Sequence, residues 1–351
     1  MSFPPSFRIG DRDIGPGRPT YVIAEAGANH NRDLGIAREL IDVAAEAGAD
    51  AVKFQTYSGD RIYSRKTPRF EYLAPITDKS PAELLEEIAL PREWQAPLAE
   101  HARSRGIDFF SSPFDHEAVT ELAELGVPVL KIASFEIVDL PLIEAAAQTG
   151  LPLIISTGMS VLGEIEDALA AAERGGAHGV GLMQCTSVYP APPELANLRA
   201  METMRRAFGV PVGLSDHTTG IAIPIASAAL GAAFVEKHFT LDRTMEGPDH
   251  PFAVEPGELT AMVSGIREAS AALGDGRKAG PSDEERKEMY TLARRSLILT
   301  RDLPAGTRIE RDMLTVKRPG FGIAPKHLEL VLGRELRVDA EHDDILTWDM
   351  L

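Results

Sequence analysis

From Tyr21 to Leu273 the chain alternates, eight times over, between two kinds of segment. One is a short apolar run rich in β-branched residues; the other is longer, with apolar residues at helical spacing. The first kind comprises Tyr21–Ala26, Ala51–Gln55, Ile107–Ser111, Val129–Ile132, Leu153–Ser156, Val180–Gln184, Val212–Leu214 and Phe234–Glu236. The second comprises Asp33–Ala47, Pro91–Arg105, His116–Leu125, Leu140–Gln148, Val161–Arg174, Glu194–Ala207, Ile221–Leu230 and Glu258–Leu273. Strands that read as continuous apolar runs are those buried on both faces. Eight such units in about 250 residues predict an α/β fold, a (β/α)8 barrel, with any active site at the C-terminal ends of the strands. The rival, an open doubly wound sheet, needs a glycine-rich phosphate loop after an early strand. The sequence contains no G-x-G-x-x-G there.

Three stretches break the alternation. Residues 57–80, rich in Arg, Lys, Tyr and Pro, read as a long loop, and structureless loops of that length are usually functional. Gly274–Glu288 has Gly, Pro and mixed charge without periodicity and reads as a linker. From Ala293 to Leu351 short alternating runs (SLILT, RIERDMLTV, RELRV, ILTWDML) predict a small β-rich module. The expected organisation is a barrel over 1–275, a linker over 276–292 and a second domain over 293–351.

Charge narrows the function. A net charge of −17 argues against nucleic acid as a partner. No apolar stretch is long enough for a membrane span, and the N-terminus lacks the basic and apolar regions of a secretory signal. The single cysteine, Cys185, excludes an internal disulfide and fits a reducing cytoplasm. Were the substrate anionic, positive groups would have to be concentrated in its site.

The predicted strand ends gather such groups. Strand one ends in Glu25, strand two carries Lys53 and Gln55, and strand three gives Ser111 and Ser112. Strand four gives Lys131 and then Ser134; strand five gives Ser156 and Thr157. Strand six gives Gln184, Thr186, Ser187 and Tyr189, and strand seven gives Ser215, Asp216 and His217. Strand eight gives Glu236 and His238, with Asp249 and His250 in the loop beyond. Scattered polar residues at strand ends need no function. Two lysines, several hydroxyls and two histidines at one end of one barrel suit a phosphate ester. Two imidazoles, His217 and His238, leave coordination positions for water or substrate. They suggest a Lewis-acid site for Mn, Co, Fe or Mg, not a closed structural zinc site. Cys185 reads as a small buried residue more readily than as a third ligand.

The motifs IAEAGANHN (23–31), VKFQT (52–56), SSPFD (111–115), KIAS (131–134), ISTGM (155–159), QCTSVYPAP (184–192), GLSDHT (213–218), EKHFT (236–240), GPDHPF (247–252) and KRPGFGI (317–323) stand together in order. In them the chain resembles the sialic acid synthase family, whose members condense phosphoenolpyruvate with an N-acyl amino sugar. The resemblance implies a (β/α)8 barrel followed by a small domain like type III antifreeze proteins. It also implies a dimer in which that domain reaches the partner's barrel mouth. By motif, His217 and His238 correspond to the metal ligands, with Mn2+ the expected ion and Mg2+ or Co2+ as alternatives. Lys53, Ser112, Lys131, Ser134, Ser156 and Ser215 correspond to the phosphoenolpyruvate pocket. Glu25, Gln55, Tyr189, Glu236 and Asp249 correspond to groups around the sugar and the reacting carbons. Arg318 corresponds to an arginine that binds the N-acyl group. One departure is Ser187, where some members carry Asn.

The resemblance implies a transferase making a sialic acid and phosphate from an open-chain N-acyl hexosamine of the N-acetylmannosamine type. A legionaminate or pseudaminate synthase, acting on a diacetamido-trideoxy hexose, is the near alternative. An aldol-type synthase for another aldehyde, or an inactive barrel serving as a sugar-binding scaffold, stands further off.

Overall fold

The computed structural model describes residues 3–68 and 78–351. It opens with a hairpin, β1 (Phe7–Ile9) and β2 (Arg12–Ile14). The parallel strands are β3 (Tyr21–Gly27), β4 (Ala51–Thr56), β5 (Asp108–Pro113), β6 (Leu130–Ile132), β7 (Leu153–Ser156), β8 (Val180–Cys185), β9 (Val212–Asp216) and β10 (Phe234–His238). Between and after them run α1 (Leu34–Glu46), α2 (Gly59–Ile62), α3 (Pro81–Ile88), α4 (Gln95–Ser104), α5 (His116–Leu125), α6 (Leu140–Gln148), α7 (Leu162–Arg174), α8 (Ala200–Phe208), α9 (Ala222–Ala229) and α10 (Pro256–Ala272).

The eight strands hydrogen-bond in the order β5-β4-β3-β10-β9-β8-β7-β6, and β5 and β6 lie side by side without a ladder. The result is a nearly closed barrel. Its interior and helix interface are filled by apolar side chains with almost no exposure, among them Ile23, Phe54, Phe110, Ile155 and Phe234. The helix ends follow local chemistry. Asp33 accepts from the backbone of Gly35 and Ile36 at the start of α1, and Asp115 accepts from Ala118 N at the start of α5.

Several boundaries differ from expectation. Strands β9 and β10 run two residues further than their apolar runs, because Asp216 and His238 still pair in the sheet. The short hairpin was not expected. It buries Ile9 and Ile14 and sets Phe7 against Phe234, with ring centroids 6.1 Å apart, at the N-terminal end of the barrel. Within 57–80 lies the short helix α2, while residues 69–77 fall outside the described residues. The unexpected α3 follows, started by a capping box between Ser80 and Glu83.

The chain divides into two compact units, Met1–Gly274 and Asp275–Leu351. In the second, the stretch read as linker contains α11 (Asp283–Lys287) and α12 (Met289–Leu292). Beyond it, β11 (Ser296–Leu299) and β12 (Leu314–Lys317) form a small antiparallel sheet. The runs expected as further strands contribute single bridges instead, such as Ile298 to Ile345 and Arg308 to Glu335. Leu297, Leu299, Ile309, Ile323, Val331, Leu336 and Leu346 form this unit's own core. Among the described residues no helix is long and apolar enough to cross a membrane.

Candidate active site

Side chains two apart on a strand share a face. Lys53 and Gln55 on β4, Ser215 on β9 with His217 just beyond it, and Glu236 and His238 on β10 thus project together. Glu25 on β3 stands in register with Lys53 and His238 and projects with them, and the ladder shifts just beyond it, before Gly27. Gly27 is needed there twice over. Its φ of +52° is left-handed, and an added Cβ would lie 3.2 Å from Asp249 Oδ2 and 3.4 Å from Glu25 Oε1.

These groups line one cavity of about 630 Å3 at the C-terminal ends of the strands. Of the expected residues, Glu25, Lys53, Gln55, Ser112, Lys131, Ser134, Ser156, Tyr189, Ser215, His217, Glu236, His238 and Asp249 all reach it. Ser187 does not. It lies beside the wall, where an added Cβ on Gly158 would sit 2.3 Å from its Oγ and 2.8 Å from Ser134 Oγ, and it has no hydrogen-bond partner. The side chain packs across the bare backbone of Gly158 instead of entering the cavity. Arg318 is exposed in the C-terminal unit, just after β12.

Lys53 Nζ lies 2.7 Å from Glu25 Oε2 and donates to Ser112 Oγ at 3.2 Å. Gln55 Nε2 donates to Glu25 Oε1 at 2.8 Å, and Lys131 Nζ donates to Ser156 Oγ at 2.6 Å. Glu236 sits between the lysines, 3.7 Å from Lys53 and 3.8 Å from Lys131. Burial pushes Glu25 up to about 7, against the pull of Lys53. Burial acts on Glu236 as well, but Lys131 and Lys53 outweigh it and hold that carboxyl below its usual range. Two carboxylates beside one lysine pair are thus driven apart in acidity. A carboxyl raised to about 7 can exchange a proton near neutral pH, whereas one held below its usual range stays ionised. Burial also raises Asp249 to about 6.

His217 Nδ1 lies 2.8 Å from the Thr186 carbonyl oxygen, so it carries the proton and donates. Nε2 is left with its lone pair. His238 Nδ1 is buried without a hydrogen-bond partner, with Asp249 Oδ2 3.5 Å away, and burial holds the ring neutral. The two ring centroids are 5.4 Å apart, close enough for one ion at metal–nitrogen distances of about 2.1 Å. A neutral ring with a free lone pair is the form a metal requires. Burial holds His238 so, while at His217 burial is outweighed by Cys185 and the Thr186 carbonyl, which raise the ring above its ordinary value. A cation would there take the place of a proton on Nε2, and on those terms the pair fits a divalent cation. Cys185 Sγ, 3.8 Å from His217 Nδ1, stands beside the nitrogen already engaged by Thr186. Among the described residues no group of three or more His, Cys, Asp or Glu is placed to hold a metal.

Several lining residues lie outside the sequence reading. Glu136, in the 3-10 turn after β6, is pushed up to about 7 by burial, and its Oε2 has no partner. Nothing but its closeness to Ser134 marked it. Tyr189 packs against His217 at an interplanar angle of 44°, with centroids 4.2 Å apart, and Phe252 meets His238 edge-on at 5.2 Å. Ile62, Leu84, Leu85, Ile88 and Phe114 form an apolar wall.

A barrel with lysines, acids and an imidazole pair converging at the C-terminal ends of its strands has the architecture of a (β/α)8 enzyme. The chain belongs to the NeuB family, whose signature matches residues 40–278, and residues 294–351 match the SAF domain. It is 43% identical over 344 residues to an uncharacterized protein of Methanocaldococcus jannaschii, covering 98% of each chain. It is 40% identical over 333 residues to the N,N'-diacetyllegionaminic acid synthase of Campylobacter jejuni, covering 94% of this chain and 99% of that one. Among solved structures, the N-acetylneuraminic acid synthetase of Leptospira borgpetersenii superposes with a TM-score of 0.73 at 36% identity. That alignment covers 81% of this chain and 95% of the other.

Proposed function

We propose that this chain is a transferase that condenses phosphoenolpyruvate with the aldehyde of an open-chain N-acyl hexosamine, giving a nonulosonic acid and phosphate. The observation that carries the reading is the joining of Lys53, Lys131 and their serine partners to the His217–His238 pair in one cavity. A phosphate ester and a carbonyl then face each other across Glu25 and Glu236. The names of the Campylobacter and Leptospira relatives, both synthases of nonulosonic acids, support it.

His217 and His238 would hold a divalent cation, Mn2+ by preference, with Mg2+ or Co2+ as alternatives. Such a cation supplies Lewis acidity toward the aldehyde oxygen. Lys53 and Lys131, with Ser112, Ser134, Ser156 and Ser215, hold the phosphate and carboxylate of the donor. C3 of phosphoenolpyruvate bonds to the aldehyde carbon, and positive character develops at C2. Glu25 takes a proton from the water that adds at C2, and its charge stabilises the cationic carbon. The C2–O bond to phosphate then breaks, and phosphate leaves with the bridging oxygen. The C2 hydroxyl becomes the ketone as its proton passes to the departing phosphate, and the alkoxide left from the aldehyde takes up the proton that Glu25 removed from water. Glu236 stays ionised between the lysines and fixes their positions. Gln55, Tyr189 and Asp249 contact the acceptor.

The exposed apolar residues Phe135, Val138, Met159, Val161, Leu162 and Val188, which follow the ends of β6, β7 and β8, suit burial against a second copy. In such a domain-swapped homodimer Arg318 of one copy would meet the acceptor's N-acyl group in the other. The single buried Cys185 suits a reducing cytoplasm. The reading is tested by phosphate release from phosphoenolpyruvate across a panel of N-acyl hexosamines. Release that depends on the acceptor is expected, and none with any member would favour a sugar-binding scaffold.

A further inference from the structure

We infer that His250 is a positioning residue: it pins the loop that carries Asp249 and Phe252 into the cavity, and through that loop it sets the grip on the sugar acceptor. The inference rests on the reading above, in which Asp249 contacts the acceptor.

The loop after β10 presents Pro248, Asp249, Pro251 and Phe252 to the cavity, and His250 between them does not line it. Its side chain is wholly buried, with both ring nitrogens engaged. Nε2 lies 3.0 Å from Asn31 Oδ1, and Nδ1 lies 2.6 Å from Thr240 Oγ1. Chemistry fixes the direction of each bond. Asn31 Nδ2 donates to the Glu246 carbonyl oxygen at 2.9 Å, so the Asn31 oxygen is the atom that faces His250. Nε2 therefore carries the proton, and in the neutral ring Nδ1 accepts from the Thr240 hydroxyl. Burial favours that neutral form. The ring is thus held from two strand ends, by Asn31 beyond β3 and by Thr240 beyond β10.

The Asn31 side is built against local preference. Asn31 and Arg32 both have left-handed φ, +48° and +52°, in a turn closed by Asp33 N donating to the His30 carbonyl oxygen at 2.8 Å. Glycine usually takes the second of those positions, and a side chain there costs about 1–2 kcal/mol. The conformation lets one Asn31 side chain tie the loop at two points, Glu246 and His250. Gly247 is a separate sign of a fitted contact. An added Cβ there would lie 2.7 Å from His250 Cδ2 and 3.4 Å from Asn31 Oδ1, so the loop backbone lies against the ring.

Asp249 depends on this support. Its Oδ2 stands 3.5 Å from His238 Nδ1, which makes no hydrogen bond, so the neighbouring strand does not tie the carboxyl directly. Its place is set by the loop backbone, and the residue that follows it anchors that backbone. A shift of about 1 Å in a positioning group can lower a rate about 100-fold.

The test measures KM for both substrates, by phosphate release from phosphoenolpyruvate with the N-acyl hexosamine that supports it, in three variants. His250→Leu should lower kcat/KM for the hexosamine about 100-fold, chiefly through KM, and leave KM for phosphoenolpyruvate unchanged. Asn31→Ala, which alters an exposed side chain, should lower it about tenfold. His250→Gln, whose amide can still donate to Asn31, should recover most of the loss. Equal losses for both substrates, no loss in natively folded variants, or the same loss in His250→Gln as in His250→Leu would overturn the proposal and leave the reaction standing. Should His250→Leu fail to fold, Asn31→Ala and His250→Gln decide. No phosphate from the wild type with any hexosamine would overturn the reaction, and the proposal with it.

Discussion

Lys237 Nζ lies 2.6 Å from Asp216 Oδ2, on the opposite faces of β10 and β9 from the inward-pointing His238 and His217. The two side chains are almost wholly buried, and Lys237 also donates to the Thr218 carbonyl. Thr218 in turn donates to Asp216 through its backbone N–H at 3.2 Å and its hydroxyl at 3.0 Å. Each residue of the pair immediately precedes a histidine of the site. Breaking a buried, hydrogen-bonded pair leaves one charge uncompensated. Lys237→Met should therefore lower unfolding stability by about 3–5 kcal/mol, measured by chemical denaturation. Replacing Asp216 and Lys237 together by apolar residues should lower it much less. A single variant as stable as wild type would deny the pair its structural role.

Glu25→Gln keeps the shape and the hydrogen bond with Gln55 but removes the base. Turnover should fall by about 100-fold or more, while phosphoenolpyruvate binding measured by calorimetry persists. Near-wild-type turnover with intact binding would assign Glu25 to pairing with Lys53 alone.

The same carboxyl sets a pH dependence. Glu25 is raised to about 7 in the folded protein, from an ordinary value of 4.5. Between those values the native state holds a proton that the unfolded chain has lost. The stability linked to Glu25 is therefore full below about pH 4.5 and declines as pH rises to about 7, by up to about 3 kcal/mol. Glu25→Gln should show a flatter stability curve across that window, and denaturation at several pH values gives the difference directly. The rate should change the opposite way in the wild type, with kcat/KM climbing through about pH 7 as the base ionises.

The imidazole pair predicts direct metal binding. Electron paramagnetic resonance with Mn2+ should show one site, weakened by about 100-fold or more in either His217→Ala or His238→Ala. Chelation should abolish phosphate release, and Mn2+ should restore it. Full turnover after thorough chelation would remove the cation from the reaction.

Gly27→Ala places a Cβ against Asp249 and Glu25 at a left-handed φ. It should lower stability by about 1–2 kcal/mol and raise KM for the acceptor more than for phosphoenolpyruvate. Unchanged KM values would show that the bulge is free to relax.

Much of this was legible in the residues because a barrel buries its strands on both faces. Apolar runs such as Leu153–Ser156 announced themselves, and their polar ends marked the site. His217 and His238 stood out because each follows a run that should have ended. What could not be read was set by context. Leu84, Leu85 and Ile88 have the spacing of any amphipathic helix, and nothing local says that their face meets a cavity. Glu136 follows two residues after Ser134, and only the turn between them brings it back to the wall. The three-residue strands of the hairpin are too short for periodicity to show. In the C-terminal unit RELRV and ILTWDML reduce to single bridges, at Glu335 and Ile345, while the first two runs pair as β11 and β12.

In the proposed reaction phosphoenolpyruvate loses phosphate by C–O cleavage after its C3 has bonded to a sugar aldehyde. The most direct measurement uses phosphoenolpyruvate carrying heavy oxygen at the bridging position, an N-acyl hexosamine and Mn2+, with products read by mass spectrometry. The label should appear in inorganic phosphate, formed in equal amount with a keto acid longer than the sugar by three carbons. Label retained in the keto acid, or phosphate formed without that acid, would contradict it.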